Sequence, residues 1–240
     1  MSWLSGVRWF AQVLVFVVLW FGTAPAAHAQ SKVAVKGGAI LVGGKKVPAA
    51  KPYRDAVGLP DGTVLAVRDS GVEVDSAMGP VDAGVVVRVD PKSGAETVLL
   101  EGRKNEDAEA TLVDLDGIVA SPDGTTVYVF AKTIWPSLGG VWAMKPDGRG
   151  AKFFAPSGIR PSVVQKGPWK GHLLATQQLH FAEGGIWFPP VLLEPGSGRV
   201  VGLCRKPPEG KGSLEADLHP YVPLTALTLN EGAQVPKERD

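Results

Sequence analysis

From residue 33 onward the chain is built of short apolar, β-branched runs separated by turn signals. Two kinds of segment recur. In the first, an apolar run meets a Pro-Asp-Gly-Thr turn and leaves as a β-branched run. Ala56–Leu59, Pro60-Asp61-Gly62-Thr63 and Val64–Val67 form one copy, and Gly117–Ala120, Ser121-Pro122-Asp123-Gly124-Thr125 and Thr126–Phe130 form another. Asp-Gly supplies the positive φ of a tight turn, so each copy predicts a hairpin. A weaker third copy runs from Ser162-Val163-Val164 through Gly167-Pro168-Trp169-Lys170-Gly171 to His172–Thr176, and Leu224–Gly232 reads as the opening hairpin of a fourth. The second kind is a longer strand, a turn and a shorter strand. It occurs as Gly84–Val89 with Ala95–Leu100, Gly140–Lys145 with Ala151–Phe154, and Gly185–Leu193 with Arg199–Leu203.

The two kinds alternate strictly, and the spacing of their turns gives a repeat of roughly 50 residues and four strands, the size of one propeller blade. Val85, Val87 and Val89 alternate with Val86, Arg88 and Asp90, as in a strand with one packed and one less packed face. The predicted fold class is therefore all-β: a β-propeller or partial propeller of four-stranded antiparallel blades, with three recognisable blades at about 53–112, 113–160 and 161–210 and terminal strands in 33–52 and 214–240. A two-sheet sandwich of the same hairpins is the competing arrangement. The terminal strands either combine into a fourth blade that closes a ring, or the chain is part of a larger ring with an open, adhesive edge.

Residues 1–29 follow another pattern: one cation, Arg8, an apolar stretch Phe10–Phe21, and the small-x-small site Ala27-His28-Ala29. This predicts a secretory signal peptide, a domain of residues 30–240, and a periplasmic or extracellular destination. The apolar run is about twelve residues, short of the 18–20 that a spanning helix needs. No cysteine lies near the cleavage site; the single one, Cys204, sits in an apolar run and is expected to be a buried, inert thiol.

Composition narrows the function classes. Lys plus Arg number 25 against 24 Asp plus Glu, which gives no overall basic footprint for nucleic acid. One cysteine rules out a disulfide framework, and 45% apolar residues is too many for a disordered chain. The partners expected are a protein or small-molecule ligand at the loop face, no nucleic acid, and no stable membrane span after signal cleavage, with self-association through open blade edges.

Ala120–Val129 followed by Val141–Gly148 resembles the blade motif of exported bacterial β-propellers of the TolB type. Entered from Leu115-Asp116-Gly117-Ile118, the same stretch is similar to blades of the gluconolactonase and senescence marker protein family and of NHL-repeat proteins. Gly167–Leu174 resembles, more faintly, a blade of glucose/sorbosone dehydrogenase-like propellers. The resemblance implies a six-bladed-like ring. For the gluconolactonase family it further implies a divalent metal, Ca or Mg, held by a Glu, an Asn and an Asp from different blades; Asp116 before Gly117 matches the Asp, whereas Asn105 and Asn230 do not match the Asn.

Asp55 and Asp116 lie six and seven residues before the Asp of their turns, which places both near one mouth of a central channel and makes them the candidate metal ligands. Asp114 and Asp116 share a strand face, with turn and strand-entry capping as the bland role. Glu101–Glu109 reads as a solvated loop. Of His172, His180 and His219, His180 is the candidate general base, against a default of spectator. Most aromatics are expected in the core between blades, with Trp135 singled out as a partner contact in the connection 133–139. The leading functional expectation is a non-enzymatic exported propeller that binds or scaffolds a ligand through its loop face. The alternatives are a divalent-metal-dependent lactone or ester hydrolase using Asp116 and Asp55, and an incomplete propeller without independent function.

Overall fold

The computed structural model describes residues 32–49, 51–76, 79–104, 111–132, 139–212 and 218–236. The expected signal peptide, Trp135 and the acidic part of the 101–109 loop lie outside the described residues. The fold is all-β: four antiparallel sheets arranged as a propeller-like ring. Six blades are not found among the described residues.

The first sheet is β1 (Val33–Lys36), β2 (Ala39–Val42) and β3 (Lys45–Lys46). The second begins with β4 (Tyr53–Gly58) and β5 (Val64–Arg68), is interrupted by a separate hairpin of β6 (Glu73–Ser76) and β7 (Gly79–Asp82), and continues with β8 (Val85–Val89) and β9 (Glu96–Glu101) in the order β4-β5-β8-β9. The third is the simple meander β10 (Leu115–Ala120), β11 (Val127–Ala131), β12 (Gly139–Met144) and β13 (Lys152–Ser157). The fourth contains β14 (Ser162–Lys166) and β15 (Leu173–Thr176), a second interrupting hairpin of β16 (Leu179–His180) and β17 (Ile186–Trp187), then β18 (Pro190–Leu193), β19 (Val200–Leu203) and β20 (Thr228–Leu229), in the order β19-β18-β15-β14-β20.

Three apolar cores lie between successive sheets, and strand alternation fills them from both sides. In β8, Val85, Val87 and Val89 join the core with the first sheet, while Val86 joins the core with the third. In β11, Val127, Val129 and Ala131 face the second sheet, and Tyr128 and Phe130 face the fourth. The strands are thus packed on both faces, and Trp142, Trp187, Phe130, Phe154 and Phe181 are buried between sheets as expected. At each of these three seams an outer-turn glycine abuts the backbone of the preceding sheet: Gly94 meets Pro48, Gly148 meets Leu99 and Gly198 meets Phe154. A Cβ at any of the three would overlap that residue's carbonyl oxygen.

Three expectations about particular segments are corrected. Leu224–Gly232 is not an opening hairpin: Leu224–Ala226 is a single 3-10 turn, and β20 adds to the edge of β14. Nor do the two terminal regions merge into one blade. Residues 33–46 form their own sheet, whereas Val222, Leu224, Leu227 and Leu229 cover the far face of the fourth sheet over Val164, Leu174 and Leu192. Across the fourth seam an exposed ion pair, Lys32 Nζ to Glu231 Oε1 at 2.6 Å, links the two ends. Gly185–Leu193 is also broken, into β17 and β18, where Pro189 and Pro190 remove two ladder donors.

The ring has two unlike ends. Six tight turns, 59–63, 90–95, 121–126, 145–151, 167–172 and 194–199, lie at one end. The long connections, 69–84, 102–114 and 177–189, lie at the other. The Pro-Asp-Gly turns therefore mark the plain end, and the residues that precede their strands mark the mouth.

Candidate functional site at the channel mouth

A cavity of about 600 Å³ runs between the inner strands β1, β4, β10 and β14 and the segment 229–234. Its mouth is set by two β-bulges. In β4 the register slips between Tyr53 and Asp55, which leaves Arg54 as the extra residue; in β10 it slips between Leu115 and Gly117, which leaves Asp116 as the extra one. A bulge turns its extra side chain out of the regular alternation. Here it aims Arg54 and Asp116 along the rim rather than into a core between sheets.

The rim is an alternating network of charge that crosses three sheets. Arg54 donates from Nε to Asp69 Oδ1 at 2.6 Å and from Nη1 to Asp114 Oδ1 and the Leu115 carbonyl, both at 2.8 Å. Asp114 holds φ at 52°, a left-handed conformation that aspartate tolerates better than most residues. Asp55 accepts from Ala56 N and, across the seam, from Ile118 N, each at 2.9 Å. Arg160, just before β14, donates from Nε to Asp116 Oδ2 at 2.7 Å, and its Nη1 lies 4.0 Å from Asp55 Oδ2. Gly117 makes room for this reach: a Cβ there would come within 2.9 Å of Arg160 Cδ.

The two aspartates titrate in opposite directions. Burial pushes the Asp55 carboxyl up, and the bonds from Ile118 and Ala56 and the charge of Arg160 do not offset it; the neighbouring Asp116 charge adds to the rise. Burial would also raise Asp116, but there the hydrogen bond and charge of Arg160 prevail, and the carboxyl is held below its ordinary value.

The structure thus brings Asp55 and Asp116 to one mouth, as their spacing from the turns implied, although one residue out of equivalence: Asp55 aligns with Gly117, and Asp116 with Arg54. The cation between them is Arg160. Among the described residues no three His, Cys, Asp or Glu side chains converge, so the donor set fits a divalent cation poorly. His180 is exposed on β16 and does not line the cavity, and His172 sits against the Trp169 carbonyl at 3.1 Å. Cys204 is buried and free, its thiol pushed up to about 12 by burial. Arg54 and Arg160 were missed because neither belongs to a repeated motif. The one available signal was that Arg54 occupies a strand entry comparable to that of Asp116.

Comparison with protein-family models and with curated protein sequences returns no match for this chain.

Proposed function

We propose that this chain is an exported β-propeller binding module, its blades of the kind seen in TolB-type bacterial propellers, and that it takes a small polar ligand or a peptide end at the channel mouth. One observation carries the reading. Arg54 and Arg160 are fixed through Nε by aspartates, while the Nη2 of each has no hydrogen-bond partner among the described residues, and both arginines line the cavity. Held donors beside Asp55, Ser162, Gln165 and Asn230 form a preorganised polar surface of mixed character, suited to a ligand that carries both donors and acceptors. Its position at the end that bears the long connections is where propeller loops present partners.

Titration calorimetry against a panel of amino acids, short peptides, polyols and small carboxylic acids tests this, with Arg160→Met as the comparison. Binding to the unmodified chain that weakens at least tenfold in the variant is the expected result; equal binding by both overturns the site. The hydrolase reading uses the same carboxylates and requires a divalent cation to displace Arg160 from Asp116. Calcium uptake coupled to lactone turnover, both lost in Asp116→Ala, would replace the binding-module reading with that one.

A further inference from the structure

The near balance of charge over the whole chain hides a sharp division. Residues 32–51 carry five lysines and no acid, whereas residues 52–240 carry 19 Lys plus Arg against 24 Asp plus Glu. All five lysines, Lys32, Lys36, Lys45, Lys46 and Lys51, are exposed, and all belong to the first sheet or its flank. Lys32 pairs with Glu231. Lys36, Lys45 and Lys46 have no ion-pair partner among the described residues.

The pairing register sorts this sheet into two faces. Val33, Val35, Ile40 and Val42 face the second sheet, whereas Lys36 stands opposite Ala39, and Lys46 opposite Leu41, on the other face; Lys45 stands opposite Val42, on the packed side, but is exposed at the edge strand β3. Among the described residues, that other face carries no apolar core. The turns at its edges stand clear, since a Cβ at Gly37, Gly43 or Gly44 would meet nothing within 4 Å. At these turns the patch projects, while Lys32 and Ala34 at the start of β1 line the cavity, and among the described residues no large exposed apolar side chain lies within the patch.

We propose that the outer face of the first sheet, together with its β3 edge, docks this protein, peripherally and by charge alone, onto an anionic lipid bilayer. A projecting sheet brings several lysines to a flat charged surface together, whereas a small anion or a single polymer strand would need a concavity to engage them. The excess of acid in the remainder of the chain repels that surface and orients the lysine face toward it. With no large exposed apolar side chain in the patch, attachment through it is released by salt.

The test is co-sedimentation of the full chain with vesicles of phosphatidylcholine alone and with phosphatidylglycerol added, at low and high salt. Any binding by the N-terminal stretch, which carries Arg8, is common to the unmodified chain and the variants, so the readout is the preference for anionic vesicles compared among these proteins. Each lysine near an anionic surface contributes about fivefold in partitioning, so a triple Lys36→Ala, Lys45→Ala, Lys46→Ala variant is expected to lose about a hundredfold. The matched control, Lys92→Ala, Lys166→Ala, Lys170→Ala, removes the same charge elsewhere and is expected to lose much less, and near-ultraviolet circular dichroism checks that both variants are folded. Equal loss in the two variants, no preference for anionic vesicles, or lysine-dependent binding to soluble heparin without binding to vesicles would each overturn the proposal.

Discussion

Replacing Arg160 with methionine separates the charge at the mouth from the packing of its stem. Methionine keeps an aliphatic chain over Gly117 but removes the donor to Asp116 and the positive charge 4.0 Å from Asp55. Breaking a fully buried pair costs about 3–5 kcal/mol, and an exposed pair contributes about 0–1. The Arg160 and Asp116 side chains are 28% and 20% exposed, so the expected loss at neutral pH is intermediate, about 2 kcal/mol, or roughly 5 °C in the melting temperature of a domain this size. The pH dependence carries the stronger test. Because Arg160 holds the folded-state Asp116 carboxyl low, its contribution is fully present above the unfolded value near 4 and disappears as pH falls through the lower folded value. Urea unfolding of both proteins across the acid range should therefore show a gap that is widest at neutral pH and closes on acidification. A gap of the same size at pH 3 and pH 7 would mean that Arg160 acts through packing, and the account of the rim as an electrostatic network would fail.

Asp55→Asn should show the opposite trend. The raised folded-state carboxyl gives stability at low pH that is lost as pH rises through the folded value, so the variant's deficit, about 1 kcal/mol from one lost backbone hydrogen bond, should be larger at pH 4 than at pH 7 in the same urea series. Gly148→Ala should cost at least about 3 kcal/mol, because φ is +85° and the new methyl would overlap the Leu99 carbonyl; Gly150→Ala, at φ +69° with nothing within 4 Å, should cost only about 1. Similar values for the two in chemical denaturation would remove the seam contact as a source of stability. Cys204, with its thiol pushed up to about 12, should resist alkylation by iodoacetamide until the chain is unfolded, and labelling at the rate of a free thiol would show that the fourth sheet opens readily.

The blade hairpins were legible because their chemistry is local. Asp61-Gly62 and Asp123-Gly124 dictate tight turns, and the apolar runs beside them bury on both sides once a neighbouring sheet is present. The mouth was half legible. Counting back from those turns located Asp55 and Asp116, and their unequal counts of six and seven already set Asp55 level with Gly117; the bulges that turn Arg54 and Asp116 onto the rim add a residue without altering composition and left no trace in the pattern. Arg160 was invisible for a related reason. It lies in a connection, and its role follows from reaching Asp116 across 44 residues of chain. Leu224–Gly232 misled because its apolar residues matched a hairpin in spacing while their actual partners, Leu174 and Leu192, lie on a sheet formed earlier in the chain.

The outer-turn glycines bear on how such a ring changes size over evolutionary time. Each of Gly94, Gly148 and Gly198 seats against a main-chain carbonyl, so the lock reads the backbone of the preceding sheet and is indifferent to its side chains. A duplicated copy of residues 113–160 spliced in after the original would offer the Phe154 carbonyl to the new copy of Gly148, much as Leu99 does now. Whole units can thus be gained or lost by recombination with the seam geometry already in place, while the mouth residues, which depend on particular side chains meeting across seams, must be selected anew each time.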